Sequence, residues 1–546
     1  MVGGDGSARR RLKKPGIIFP HLLIIAGNGE RFHHNTRTAE RSATGKQGFQ
    51  KGEMKMLKED CKGFHVGRRD FLKTTTMAGM AVTLPETLLQ DSGRVVKPGN
   101  RGNKRKLLLL GEYPKAYDNL VQSVKSIKEY EFTVVSIQTD YRKPQEIIKT
   151  IQMEAPDILF FGMPGSLNPG NIPVALGYID VPVILLPTYS DLIMLDADVV
   201  AAFRANGTNA VLANSESHAI ELIKILAAPK LLQDKRAVIY GRPFDSSSVP
   251  ARNLDAEIVY KCTGVRLEFR PLEQLKPLLE TVDPESAGKE MERWKKDATS
   301  IVEPTEKELL ESCKMYVLLR SIIEQEGLSG ISIDCLSFSF NPKPVLPVPC
   351  LAFARLRDEG FALPCEADVC GMLTSMVLQE ISRKPSFFCN VSSVDMEKSS
   401  VVLRHCVAPL RLLGRNTAAL PYNLRDYHGT GRGVTPEVTF PPGLEVAFGG
   451  FTKDLKEFVM WPGKIQEGIM DTDRLSYNQL LPEFKNMRRY CSNRAEVKVR
   501  EVDVFLQNIV GVHHVMVAGI YTNELREEMI RLNVDVIGPI DSSAPA

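Results

Sequence analysis

The chain has 546 residues, with 69 Lys and Arg against 66 Asp and Glu, a formal net charge of +3, and 43% hydrophobic and 25% charged residues. This length exceeds one ordinary hydrophobic core and predicts two to four domains, and the near balance of charge gives no basis for nucleic-acid binding. Ten cysteines are scattered mostly through apolar runs without a C-x-x-C pair, which argues against a zinc ribbon, a thioredoxin-like motif or a disulfide scaffold.

Residues 1–60 are polar, glycine-rich and basic, and read as a disordered extension or as sequence upstream of a true start at Met54 or Met56. Arg68-Arg69-Asp70-Phe71-Leu72-Lys73, followed by a mildly apolar stretch over 74–84, resembles a twin-arginine export signal. It implies passage of the folded protein through the twin-arginine machinery to the periplasm. The alternative is an amphipathic first helix of a cytoplasmic protein. No other stretch approaches the roughly 20 apolar residues of a membrane span. The extension, signal and a Gly/Lys/Arg/Asn-rich linker together cover 1–105.

Short apolar runs then predict parallel strands over 106–111, 132–137, 158–162 and 181–187, with helices over 116–129 and 144–153 between them. Pro164-Gly165-Ser166 and Asn168-Pro169-Gly170 follow a strand's C-terminal end, where open α/β sheets bind ligands; a plain turn is the other reading. Neither a G-x-G-x-x-G nor a Walker motif occurs, so no nucleotide cofactor is expected. This first α/β unit spans 106–233. A second, 234–345, has strands over 236–240, 265–269 and 330–336, a turn at Gly241-Arg242-Pro243-Phe244, and a mostly helical stretch over 274–327.

The C-terminal domain, 346–546, carries the chemistry-bearing residues. Helices are expected over 350–359 and 372–381, and Glu366 and Asp368 stand at the mouth of the second. Helix capping alone accounts for two carboxylates there. A strand over 401–406 ends in His405-Cys406, and an apolar strand over 510–517 contains His513-His514. His428 lies between them. Imidazoles at strand ends together with a carboxylate at a turn suit an oxygen/nitrogen site for Mn²⁺ or a similar cation. A strand histidine also reads as a hydrogen-bonded core residue. Tyr422, Arg425 and Arg432 belong to a loop that lines a polyol pocket or lies on the surface.

Cys350 to Gly360, then Pro364-Cys365-Glu366-Ala367-Asp368-Val369 and Gly371-Met372-Leu373-Thr374, resemble the L-fucose isomerase family. So does His405-Cys406-Val407-Ala408-Pro409. Gly511-Val512-His513-His514, with Asn523-Glu524-Leu525 after it, is similar to the terminal histidine segment of L-arabinose isomerase. The resemblance covers roughly 330–540. It implies two Rossmann-like α/β units followed by a β-barrel-containing C-terminal domain of the L-fucose isomerase type, a Mn²⁺-type site, a homo-oligomer and a small sugar as partner. Glu366 matches the metal-binding glutamate that also moves the proton. His513 matches the late metal-binding histidine, with its neighbour His514 as the alternative. Where the family has a second metal carboxylate, this chain has Asn390, whose amide offers an oxygen but no base. Asp395, five residues on, is a substitute.

The implied activity is aldose–ketose isomerisation of a fucose- or arabinose-like sugar. A cation polarises the sugar oxygens, and a carboxylate with a raised pKa shifts a proton through an enediolate. Glu366 takes the proton-transfer role, with Asp368 and Asp395 as alternatives. Glu366, Asn390 and His513 or His514 hold the metal, and His405, His428, Tyr422, Arg425 and Arg432 face the substrate. The competing readings are an exported sugar-binding protein and an inactive isomerase homologue.

Overall fold

Leu107, Leu108, Leu109 and Leu110 are all fully buried, as a strand covered on both faces requires. The computed structural model describes residues 103–163, 177, 179–187, 193–244, 254–341, 344–467 and 491–539, all within one of two units of the chain, Gln90–Ala546. The expected disordered extension and export signal lie outside the described residues, as do Pro164-Gly165-Ser166 and Asn168-Pro169-Gly170. The protein is mixed α/β. No helix among the described residues is long and apolar enough to cross a membrane.

The four leucines lie in β1 (Lys104–Gly111), which pairs in parallel with β2 (Glu131–Gln138) and β3 (Ile158–Met163). With β4 (Val183–Pro187) and β5 (Ala210–Leu212) they form a sheet of order β2-β1-β3-β4-β5, the strand order of one kind of doubly wound sheet. Alternation splits the leucines between two cores. Leu107 and Leu109 pack with Leu120 and Ile223 on one face, and Leu108 and Leu110 with Ile147, Ile151 and Phe203 on the other. Each such side chain stabilises the fold by roughly 1.5–3 kcal/mol.

A second parallel sheet has order β7-β6-β9, from β6 (Arg236–Tyr240), β7 (Arg266–Arg270) and β9 (Gly330–Ile333). The helix Glu306–Glu326 leads into β9; Thr305 caps its start and Gly327, at φ 62°, ends it in the left-handed conformation. β9 stops at Ile333 rather than running to 336. There the Ile333 carbonyl accepts from Ala367 N–H, and Leu336–Ser339 turns as a short helix. This sheet's core is continuous with that of the C-terminal region, from Leu232 to Val534. Between β7 and β9, the short β8 (Ser300–Ile301) pairs with β12 (Tyr422–Arg425), which pairs in turn with β13 (Thr435–Val438).

The remaining strands are β10 (Phe387–Asp395), β11 (Ser400–His405), β14 (Glu445–Phe451), β15 (Glu457–Glu467), β16 (Asn493–Val499), β17 (His513–Ala518) and β18 (Asp535–Ile537). Six of them close a ring in which every neighbour is antiparallel: β14-β17-β10-β11-β16-β15 and back to β14. Closure leaves none of the six with a free edge. The helix Val369–Ser382 packs against β17 and β14, and its residues 369–379 are all buried, as expected for a helix apolar all round. The helix Thr522–Leu532, the last among the described residues, returns to the helix Glu216–Ala227. Arg531 donates to Ile225 O, Glu528 accepts from Leu231 N–H, and the Asn209 amide donates to Ile530 O.

Candidate metal centre

The segment Pro364–Asp368 is held tightly. Ser332 Oγ donates to Pro364 O, the Arg357 guanidinium donates to Leu363 O, and Ala367 N–H donates to Ile333 O. Within it Glu366 and Ala367 have φ of 64° and 55°, consecutive left-handed residues costing roughly 1–2 kcal/mol each. That backbone aims the Glu366 carboxylate at two imidazoles. Its Oε2 is 3.2 Å from His513 Nε2 and its Oε1 is 3.5 Å from His405 Nε2. The three donor atoms lie within 4.8 Å of one another. Neither Nε2 has a hydrogen-bond partner among the described residues.

Asp368 has two tasks. One oxygen caps the helix by accepting from Gly371 N–H at 2.5 Å, and Oδ2 meets His513 Nδ1 at 2.7 Å. Lys453 Nζ lies 4.0 Å from the same oxygen. A carboxylate on the far nitrogen of an imidazole fixes its tautomer and leaves Nε2 for a ligand. Asn390 is directly opposite His513 in the β10–β17 ladder, so both project from one face; its buried Oδ1 has no partner among the described residues. Phe388 packs against both His513 and His405, at ring-centroid distances of 4.5 and 5.1 Å. Phe244, off the end of β6, covers His513 at 4.6 Å.

Electrostatics follow the geometry. Burial alone lowers the His513 pKa, but Glu366 and Asp368 outweigh it and raise the pKa to about 9. Burial alone raises Glu366, yet His513 and His405 hold it below the ordinary carboxylate range. A carboxylate with a raised pKa is therefore not what this arrangement provides, because two imidazoles face it. Asp334, just past β9, is raised by burial and also feels Glu366.

The other expected residues fall as follows. His514 alternates to the opposite face, 5.8 Å from the Phe505 ring and 6.5 Å from Phe448. Neither of its ring nitrogens has a partner among the described residues, and burial together with His513 pulls its pKa down to about 3. Asp395 sits at the far end of β10, where it accepts from Glu397 and Lys398 N–H in a turn; five residues of strand carry it about 16 Å from Asn390. His428 is buried against Tyr427 and Phe340, with Cys491 Sγ 3.9 Å from its Nε2. Tyr422 packs edge-on to Trp294. Arg425 is locked between Glu303 and Glu437. Arg432 donates to Asn341 O. The structure thus brings together Glu366, Asp368, His405 and His513, with Asn390 beside them.

Sequence reasoning missed Phe244, Asp334 and Lys453. A signal existed for the first two: both follow strands of one parallel sheet, at the C-terminal edge where such sheets bind ligands.

No family model matches the chain. Over a short stretch it is similar to sulfoquinovose isomerases. It is 26% identical over 91 residues to those of Priestia aryabhattai and Priestia megaterium, a match covering 16% of this chain and 20% of each relative. It is 29% identical over 105 residues to that of Alkalicoccus urumqiensis, covering 19% and 23%. The chain spans about a fifth of the length of these curated relatives.

Proposed function

We propose that this chain is a metal-dependent aldose–ketose isomerase acting on an open-chain sugar, with Glu366 as the proton-transfer group. The observation that carries the reading is the convergence of Glu366, His405 and His513 within 4.8 Å, from positions far apart in sequence. The partial similarity to sulfoquinovose isomerases supports it.

The donor set suits a divalent cation such as Mn²⁺: a carboxylate, two imidazole nitrogens facing it without hydrogen-bond partners, and an orphaned amide oxygen on the same strand face. Glu366 and His513 hold it, Asn390 Oδ1 completes the set, and His405 Nε2 faces the same carboxylate. When bound, such a cation polarises adjacent carbonyl and hydroxyl oxygens. Glu366 is ionised at neutral pH and takes the proton from the carbon beside the carbonyl, returning it to the neighbouring carbon. Asp368 keeps His513 oriented throughout. Phe244 and Phe388 shield the imidazoles from water, which strengthens every charge interaction inside. Export through the twin-arginine machinery and homo-oligomer assembly belong to the same proposal.

Isomerase assays on fucose, arabinose and sulfoquinovose, with and without Mn²⁺, test this reading. Turnover that needs the metal and disappears in Glu366→Gln supports it. Absence of turnover on all three, with one equivalent of metal still bound, favours a second reading: an inactive homologue, to which Asn390 points because its amide supplies no second carboxylate.

A further inference from the structure

We propose that Cys365, Cys406 and a ring nitrogen of His405, joined by Cys350, form a second metal site selective for a soft cation such as Zn²⁺, distinct from the oxygen/nitrogen centre at Glu366. The two sulfurs and the imidazole nitrogen lie within 4.8 Å of one another, and all three residues are buried. His405 Nδ1 is 3.3 Å from Cys406 Sγ, so the ring turns its other nitrogen to Glu366. Cys350 Sγ lies 3.9 Å from Cys406 Sγ. Two thiolates on one tetrahedral zinc, each at about 2.3 Å, stand about 3.8 Å apart. The Cys350–Cys406 spacing matches one such edge; Cys350 is not among the three residues whose donor atoms lie within 4.8 Å of one another, so it moves inward to become the fourth ligand. Three cysteines and one histidine are a common zinc donor set.

A second, independent observation points to missing negative charge. Arg357 is 2% exposed, and its partners are Leu363 O, Val407 O and Cys365 Sγ, the last at 3.5 Å. No carboxylate pairs with it among the described residues. A buried cation without a counter-charge is costly, and neutral carbonyls and a neutral thiol do not offset it. Three thiolates around a divalent cation do, because the ion and Arg357 together carry the matching positive charge. On binding, the three thiol protons leave to solvent, so affinity rises with pH. His405, engaged through Nδ1, keeps its proton on Nε2 and so faces Glu366 as a donor.

This site does not depend on the isomerase reading. The test is titration of the reduced, full-length protein with Cd²⁺, following the ultraviolet sulfur-to-metal charge-transfer absorption. The expected result is one equivalent giving that absorption in the wild-type protein and in Glu366→Gln, lost in Cys365→Ser and in Cys406→Ser. No absorption in the wild-type protein, or its persistence in both serine variants, overturns the proposal. If a serine variant fails to fold, X-ray absorption of the Zn²⁺-loaded wild-type protein decides: two or three sulfur neighbours support the site, and oxygen and nitrogen neighbours alone overturn it. Loss of metal from Glu366→Gln with the sulfur signal intact separates this site from the first.

Discussion

Asp368 Oδ2 and His513 Nδ1 stand 2.7 Å apart although 145 positions separate them in the chain. Asp368→Asn retains a good N-cap but removes the charge that fixes His513. Loss of such a partner typically weakens metal binding 10–100-fold. Calorimetric Mn²⁺ titration is expected to show that loss; unchanged affinity refutes the orienting role.

The two adjacent histidines are expected to respond oppositely. His514→Phe removes a buried ring without polar partners and leaves stability within about 1 kcal/mol, since replacing an unsatisfied polar group by an apolar one is nearly neutral or favourable. Metal content is expected to persist. His513→Phe is expected to abolish Mn²⁺ binding while leaving any sulfur-bound metal in place. Elemental analysis and denaturant melts of both variants read the difference.

Gly371 stands in the first turn of the helix Val369–Ser382, and a Cβ there would lie 2.4 Å from the Phe388 ring. Phe388 must move or the helix must shift, and it is Phe388 that packs on His405 and His513. Overpacking of this kind costs about 1–3 kcal/mol, against a helix-propensity gain of about 1 kcal/mol. Gly371→Ala is expected to lower the urea midpoint and weaken metal binding together.

Arg425 holds Glu437, whose side chain is fully buried, and Glu303. Arg425→Met leaves both carboxylates without that partner and is expected to cost about 3–5 kcal/mol. The double variant Arg425→Met/Glu437→Gln is expected to recover part of it. Chemical denaturation measures both.

Burial raises the pKa of Asp358 from 3.8 to about 7. Its Oδ2 has no partner among the described residues, while Oδ1 accepts from Arg411 N–H. The folded state therefore holds this proton more tightly than the unfolded chain, and the group's stabilising contribution is lost as pH rises from about 4 to about 7. Asp358→Asn is expected to flatten that part of the stability–pH curve.

The parallel strands were legible because a strand buried on both faces must be continuously apolar, as Leu107–Leu110 is. Glu366 and His513 stood out through motif resemblance and Asp368 as a helix cap or alternative base, but the Asp368–His513 contact had no sequence signal. Their mutual arrangement was not legible, because it rests on left-handed backbone at Glu366 and Ala367, which only glycine would have announced. Which of His513 and His514 faces Glu366 needed the strand register. Arg425 read as a solvated or substrate-facing arginine because its partner Glu303 lies 122 positions away. Closure of the six-stranded ring depends on long-range pairings that no local pattern encodes.

The return of the helix Thr522–Leu532 to the helix Glu216–Ala227 ties Asn209, Ile225 and Leu231 to residues 297 to 321 positions downstream. During synthesis the N-terminal sheet emerges long before that helix exists. Its surface around the helix Glu216–Ala227 stays open until the helix Thr522–Leu532 has been made. Completion of this face thus waits on a helix roughly three hundred positions downstream, and loss of that helix would be felt at residues 209–231.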